Sequence, residues 1–337
     1  MPHAVFFHSL IREFEKNSHE LLITCRKFSA LEELLEELQI DYVSVGKHGK
    51  TNFEKLVESA KRTQKLAKIV KDFSPQFAIA KHSVELPRVA FGLGIPSLLV
   101  VDHDPAEAQF RLSVPLASIV VAPKCVKKSY LKKLGAKRVL QFYGVCETAH
   151  FKNFKPRNVL RGLGISKNSR IILARAEPKY SSHNQKHSKI FEALKLIREN
   201  IDCEIIGIPR NSEDKKMFSK LGAIIPEKPI DTRSAYFYVN MIIGAGSTMN
   251  REAALTGTSV ISICPDALPS PDKFLIKLGM IHHTLSSRKA FLLAEKLMEH
   301  TKTVKEKLRE LNKNLERFED PHEKIQSIVY TYQNLNS

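Results

Sequence analysis

Apolar runs of strand length alternate with amphipathic stretches along almost the whole chain. The runs at 19–25, 41–46, 76–80, 96–102, 117–122 and 137–142 are rich in Val, Ile and Leu and lack strict apolar–polar alternation. That composition predicts strands covered on both faces. Helical periodicity falls near 5–17, 29–38, 52–72, 84–93 and 125–134. Strand and helix in alternation predict a parallel sheet with helices on each side. The pattern pauses over 143–170, a stretch rich in Gly, Asn, Lys and Arg. It resumes with strands at 170–176, 202–208, 222–226, 239–245 and 259–264. Helices are predicted near 185–200, 212–220, 231–237, 247–256, 271–278, 287–300, 302–317 and 321–333. The expected division is an α/β domain over 1–150, a second over 151–318 and a terminal helical segment over 319–337.

A doubly wound sheet ordinarily begins on a central strand. Here only "MPHA" precedes the first helical pattern. A further strand of about seven to ten residues is therefore expected upstream of Met1, unless the strand order needs none.

Composition narrows the class. The 337 residues suffice for two domains with cores of their own. The longest apolar runs, such as 95–101, are too short to span a bilayer. The N-terminal residues lack the pattern of a signal peptide, so a cytoplasmic location is expected. Five scattered cysteines without a CxxC pair read as reduced core thiols. The net charge of +17 attracts polyanions without choosing among them. The densest basic run, 124–138, reads as one amphipathic helix. Val126, Tyr130 and Leu134 lie on its buried stripe and Lys124, Lys128 and Lys132 on another face. That face is either solvated or a patch for an acidic acceptor or for peripheral contact with the inner face of the membrane. The chain has no Trp and no aromatic–basic repeat, which speaks against nucleic acid as the partner.

The stretch "GAGSTMNREAALTGTSVISI" (244–263) carries the clearest chemistry. Gly244 and Gly246 end a strand and a helix begins at Ser247 or Thr248, either of which would cap it. Glycines let a ligand approach the backbone, and amides at a helix start form an anion site. A diphosphate fits such a site, and Glu252, a turn inside the helix, could reach hydroxyls attached to it. The alternative is a tight turn without a ligand.

This stretch resembles the donor-nucleotide loop of GT-B glycosyltransferases and of UDP-N-acetylglucosamine 2-epimerase. More narrowly, the chain resembles a largely archaeal, uncharacterised family of predicted glycosyltransferases related to both. That likeness extends over nearly the whole chain, through "PHAVFFHSLIREFEKNSHELLIT" (2–24), "RVAFGLGIPS" (88–97), "ILARAEP" (172–178) and "FEDPHEKI" (318–325). It implies two Rossmann-like domains facing a cleft. The second would bind a nucleotide-diphospho-sugar, of UDP type, as donor. Glu252 would hold the ribose and Gly246, Ser247 and Thr248 the diphosphate. The terminal helix would pack back on the first domain. Arg175 and Glu177 would face the cleft, with Arg175 on a phosphate or, alternatively, paired with Glu177. The family more often has Pro where this chain has Ala176. GT-B proteins generally need no metal or other cofactor.

In the first domain, the carboxyl ends of the strands face the expected site. The strand at 96–102 delivers Asp102, His103, Asp104 and then Glu107. Asp104 with Pro105 and Glu107 reads as a helix cap. Asp102 or His103 is then the candidate general base for an acceptor hydroxyl, with His3 as a further candidate. The epimerases place a glutamate and a histidine after a similar strand, but the spacing differs and their roles are not carried over. "KHGK" (47–50) reads as a solvated loop or an acceptor contact. His183 and His187 lack a third ligand, so no metal site is expected there. The leading reading is sugar transfer to an unknown acceptor, phosphorylated or lipid-linked. The alternatives are nucleotide-sugar epimerisation and non-catalytic nucleotide-sugar binding.

Overall fold

The computed structural model describes residues 2–104, 106–166, 168–176 and 189–334. The chain forms two compact units, Met1–Lys152 with Glu319–Ser337, and Asn153–Phe318.

In the first unit, α1 (Pro2–Lys16) leads to β1 (Thr24–Cys25), α2 (Ser29–Glu37), β2 (Val43–Ser44) and α3 (Asn52–Phe73). Then follow β3 (Ala78–Lys81), α4 (Glu85–Gly92), β4 (Ser97–Val100), α5 (Glu107–Ser113), β5 (Ile119–Pro123), α6 (Lys128–Lys133) and β6 (Val139–Phe142). Strands β3, β4, β5 and β6 form one parallel sheet in that order. Strands β1 and β2 form a separate parallel pair with two register pairs, Thr24 with Val43 and Cys25 with Ser44. The strands expected over 19–25 and 41–46 are thus short. Arg62 of α3 secures this pair by donating to the carbonyls of Cys25 and Val45. Glu85, 2.5 Å from Arg26 and 3.8 Å from Arg62, supplies the countercharge.

The four-stranded sheet is covered on both faces. Leu98, Val100, Ile119 and Val121 pack with Phe6, Leu10 and Phe14 of α1. The same cluster contains Ile325, Ile328 and Val329 of the chain's last helix, Pro321–Asn334. The alternate residues Leu99, Val101, Val120 and Ala122 pack on the other side with Phe110, Val126 and Leu131. Period-two alternation with both sets apolar is why these strands read as continuous hydrophobic runs.

The helix expected over 125–134 is shorter than its periodicity suggests. Pro123 ends β5, and Val126 lies in a turn whose amide donates to the Pro123 carbonyl at 2.9 Å. The helix is confined to Lys128–Lys133, and Gly135 at φ +95° terminates it. Lys124 lies outside it, 3.8 Å from Glu319. No single helix face therefore carries Lys124, Lys128 and Lys132. The helix after β4 begins at Glu107 with Ala106 at its N-cap and no side-chain cap, so Asp104 does not cap it. "KHGK" wraps the start of α3, where the Lys50 amide donates to Glu54 at 2.7 Å.

The second unit contains β7 (Ile171–Arg175), α7 (Lys189–Asn200), β8 (Glu204–Ile208), α8 (Ser212–Lys220) and α9 (Thr232–Tyr238). These are followed by β9 (Met241–Gly244), α10 (Ser247–Leu255), β10 (Ser259–Ser262), α11 (Ser270–Lys277), β11 (His282–His283), α12 (Ser287–Met298) and α13 (Val304–Arg317). Its parallel sheet has the order β11-β10-β9-β7-β8. The order reverses between β7 and β9, the topological switch point at which open α/β sheets bind ligands. The expected strand over 222–226 reduces to one parallel bridge, Ile224 to Ile206. Gly222 at φ +65° and Pro226, which has no N–H to donate, confine it. Strand β11 has no counterpart among the predicted elements. Gly207 on β8 is required by packing, since a Cβ there would lie 2.5 Å from the Phe218 ring.

Helix α13 satisfies the carbonyl ends of two others. The Lys307 ammonium donates to the carbonyls of Tyr236 and Val239 at the end of α9, and Asn314 donates to Leu255 at the end of α10, 2.9 Å away. Such terminal carbonyls have no partner within their own helix. Lys307 is 2% exposed, and burial, with Lys302 nearby, pushes its amine down to about 7. Its unfolded value is near 10.5. Between these values the unfolded chain holds a proton that the folded chain lacks, so stability rises with pH across that window. Lys307→Met is expected to flatten this slope. Urea midpoints of both forms at about pH 6 and about pH 9 check it.

Candidate functional site

The first cluster lies at the switch point of the second unit. Arg175, the last residue of β7, is the register partner of Gly244, the last of β9. Asn250 of α10 packs back on this strand end and donates to the Gly244 carbonyl at 3.2 Å. A Cβ on residue 244 would lie 2.6 Å from the Asn250 Oδ1, so glycine is what lets the helix approach. The helix N-cap is Gly246, and no side chain caps it. The cap expected from Ser247 or Thr248 is replaced by this glycine, which leaves the first amides of α10 facing the switch point. Those amides and the helix dipole suit an anion.

Two guanidinium groups meet there. Arg175 is largely buried, with Nε unpartnered and Nη1 3.2 Å from the Met249 sulfur. Arg210, on the loop after β8, donates through Nε to the Ala176 carbonyl at 2.9 Å. Its Nη2 lies 2.7 Å from where a Cβ on Gly246 would be. Among the described residues, neither guanidinium has a carboxylate ion-pair partner. Burial depresses Arg175, with Tyr236 and Glu252 opposing. Burial and then the Arg175 charge push Arg210 down to about 10. Two desolvated cations that disfavour each other are stabilised by an added anion.

Glu252 is buried one turn further along α10 and accepts from the Tyr236 hydroxyl at 2.7 Å. Burial and the adjacent carboxylate hold the Tyr236 phenol well above its ordinary range. Tyr236 therefore remains a donor and orients the Glu252 carboxylate. Thr258 and Lys307 both bond the Tyr236 carbonyl, at 2.7 and 2.8 Å, which fixes this residue from behind. Glu177, His183 and His187 lie outside the described residues.

The second cluster lies at the carboxyl ends of β3 and β4 in the first unit. Lys81 and Asp102 form a buried ion pair at 2.5 Å. Asp102 Oδ1 also receives the His103 Nδ1 and lies 2.6 Å from the His82 Nε2. The His82 and His103 rings stack at 4.5 Å, and the His3 ring lies 6.2 Å from His82. Burial alone would raise the Asp102 carboxyl, but Lys81 and the two imidazoles hold it well below its usual range. Burial alone would lower Lys81, and Asp102 overrides it. Burial keeps His82 low and therefore neutral.

His103 is partly exposed. A carboxylate holding Nδ1–H leaves Nε2 to accept a proton from outside. His82, Asp102 and His103 each bring one ligand atom within 4.8 Å of the others. The rings sit on Asp102 at hydrogen-bonding separations, and Lys81 supplies the countercharge.

Sequence reading placed Asp102, His103 and His3 separately and missed their hub, Lys81 and His82. The signal was present, because these two residues end "QFAIAKH", a strand whose carboxyl end adjoins that of 96–102. It also missed Arg210, Tyr236 and Lys307.

Two α/β units built on parallel sheets make this a Rossmann-like protein with the fold of GT-B glycosyltransferases and UDP-N-acetylglucosamine 2-epimerases. The S. aureus MnaA–UDP co-structure matches with a TM-score of 0.75 at 17% identity, over 99% of this chain and 95% of that one. UDP-GlcNAc 2-epimerase of Methanocaldococcus jannaschii gives 0.73 at 15%, over 98% and 97%. The forosaminyltransferase SpnP of spinosyn gives 0.63 at 11%, over 98% and 95%. At these identities the likeness is one of fold. The chain belongs to the family described as protein of unknown function (DUF354), which matches residues 1–334. It is 37% identical over 289 residues to uncharacterized protein MJ0665 of M. jannaschii, covering 84% of this chain and 85% of that protein.

Removing Asp102 strands a buried ammonium. Asp102→Ala is expected to cost about 3–5 kcal/mol. Its folded carboxyl lies below the unfolded value, so its contribution is full above the ordinary carboxylate range and is lost as pH falls through and below it. Urea midpoints of both forms at about pH 7 and about pH 3 check this, and the gap between them should narrow in acid.

Proposed function

We propose that the protein binds a nucleoside-diphosphate sugar and transfers the sugar to an acceptor hydroxyl. The supporting observation is the pairing of Arg175 with Gly244 at the switch point, with Arg210 beside it and, among the described residues, no carboxylate ion-paired with either arginine. A diphosphate supplies the missing charge. In this reading the amides at Gly246, Ser247 and Thr248 and both guanidinium groups hold it, bidentately where geometry allows. Glu252, oriented by Tyr236, accepts from the ribose hydroxyls. No metal is needed on the diphosphate, because two cations and a helix N-terminus already face it.

Asp102 and His103 then serve as the base pair for the acceptor. His103 Nε2 takes the hydroxyl proton, the oxygen forms its bond to the anomeric carbon, and the bond from that carbon to the diphosphate breaks. The leaving group carries its charge onto the arginines and the helix. Lys81 keeps Asp102 ionised, and His82 and His3 flank it. The acceptor is an alcohol, phosphorylated or lipid-linked, and the donor base is uracil.

Epimerisation of the sugar is the second reading. The epimerase structures, at TM-scores of 0.73 and 0.75, match better than the forosaminyltransferase at 0.63. It differs in needing no acceptor and in releasing no free nucleotide.

Thermal shift against UDP-, GDP-, dTDP- and CDP-sugars tests the first step. A ligand at about a hundred times its Kd should stabilise the protein by about 2.7 kcal/mol. Glu252→Ala should abolish the shift, and Arg175→Ala should weaken binding about tenfold to a hundredfold. No shift with any nucleotide sugar would sink both readings. NMR of the products then separates a new glycoside and free nucleotide from an epimer. His103→Ala should leave the shift intact and slow turnover about 10²–10⁴-fold.

A further inference from the structure

One face of the first unit carries bulky apolar side chains that neither site uses. Phe53 and Leu56 of α3 are 75% and 70% exposed, Leu112 of α5 is 60% exposed and Phe91 of α4 is 51% exposed. Phe53 and Leu56 are three residues apart and so share a helix face. Leu56 and Leu112 line one groove of about 340 Å³ together with Arg88, Arg111 and Pro115. Single exposed apolar residues are ordinary on a protein surface, but a contiguous set marks an interaction site.

Cations rim this patch. The Lys137 ammonium lies 5.2 Å from the centroid of the Phe91 ring. Lys132 donates to the Lys137 carbonyl at 2.6 Å, which brings the end of the basic run 124–138 to the patch. A Cβ on Gly135 would lie 3.2 Å from Pro115, the groove residue on that side. Arg88, Lys132, Lys133 and Lys137 are exposed. The acids of this face are engaged locally. Glu54 caps α3, Glu107 pairs with Arg111 at 2.6 Å, and Glu58 lies 3.6 Å from Lys61.

We propose that this face docks on an anionic lipid bilayer. Phe53, Leu56, Phe91 and Leu112 enter the headgroup layer while the basic rim meets the lipid phosphates. A second copy is a poorer occupant, because each chain carries +17 and the rims would repel. No helix among the described residues is long and apolar enough to cross a membrane, so the contact lies on the surface of the bilayer. The proposal does not depend on the nucleotide-sugar reading, since vesicle binding requires no nucleotide.

The chain has no tryptophan, so Phe53→Trp provides a fluorophore without background. The full chain is mixed with vesicles of phosphatidylcholine alone and of phosphatidylcholine with phosphatidylglycerol. Co-sedimentation and a blue shift of Trp emission are expected with the anionic vesicles, and both should weaken with salt. The triple variant Phe53→Ser, Leu56→Ser, Leu112→Ser should lower the bound fraction about tenfold or more. A circular dichroism melt establishes that it folds, and if it does not, the Phe53→Trp shift alone decides. Absence of binding to anionic vesicles, or unchanged binding by a folded triple variant, overturns the proposal. So does a concentration-dependent dimer that the triple variant abolishes in the absence of vesicle binding, since the patch would then belong to a second copy.

Discussion

Two guanidinium groups that meet with no carboxylate ion-paired to either among the described residues set the terms for the second unit. Arg175 and Arg210 converge on the start of α10, where the helix presents further positive potential. Like charges brought this close disfavour each other. The surroundings maintain the geometry. Gly244 lets Asn250 reach the strand end, Gly246 leaves room for Arg210, and Tyr236 positions Glu252. Behind them, Lys307 and Asn314 of α13 occupy carbonyls that α9 and α10 cannot satisfy themselves. The glycine turn is thus one layer of a site that extends through three helices.

The first unit resolves its buried charges internally. Lys81 neutralises Asp102, and the same carboxylate orients His103. The cluster is therefore stable without a ligand, and its outward-facing group is an imidazole able to exchange a proton. One cluster gathers positive charge and the other holds an imidazole against a carboxylate.

Several residues stood out in the sequence because local rules mark them. Glycines between a strand and a helix, a carboxylate a turn inside that helix and an acid at a strand end are visible from spacing alone. Other residues carried no such mark. Lys307 lies 71 residues from the Tyr236 carbonyl it bonds, and Arg210 lies 34 from the Ala176 carbonyl. Sequence spacing contains no information about contacts of that separation. Where local rules failed, a competing local feature was responsible. Pro123 and Gly135 cut short the helix that lysine periodicity suggested, and Pro226 limited the strand over 222–226 to one bridge.

The alternation of apolar runs with amphipathic stretches determined the α/β class, because covering both faces of a parallel strand demands continuous apolar runs. Turn glycines, the excess of basic residues and the family likeness were equally present in the chain as written. Strand order was not, because parallel strands of similar composition can pair in several orders. Only the folded sheet put Arg175 beside Gly244, and only adjacent strand ends gathered Lys81, His82, Asp102 and His103. A buried charge takes its meaning from what lies within a few ångströms of it, and that neighbourhood belongs to tertiary structure.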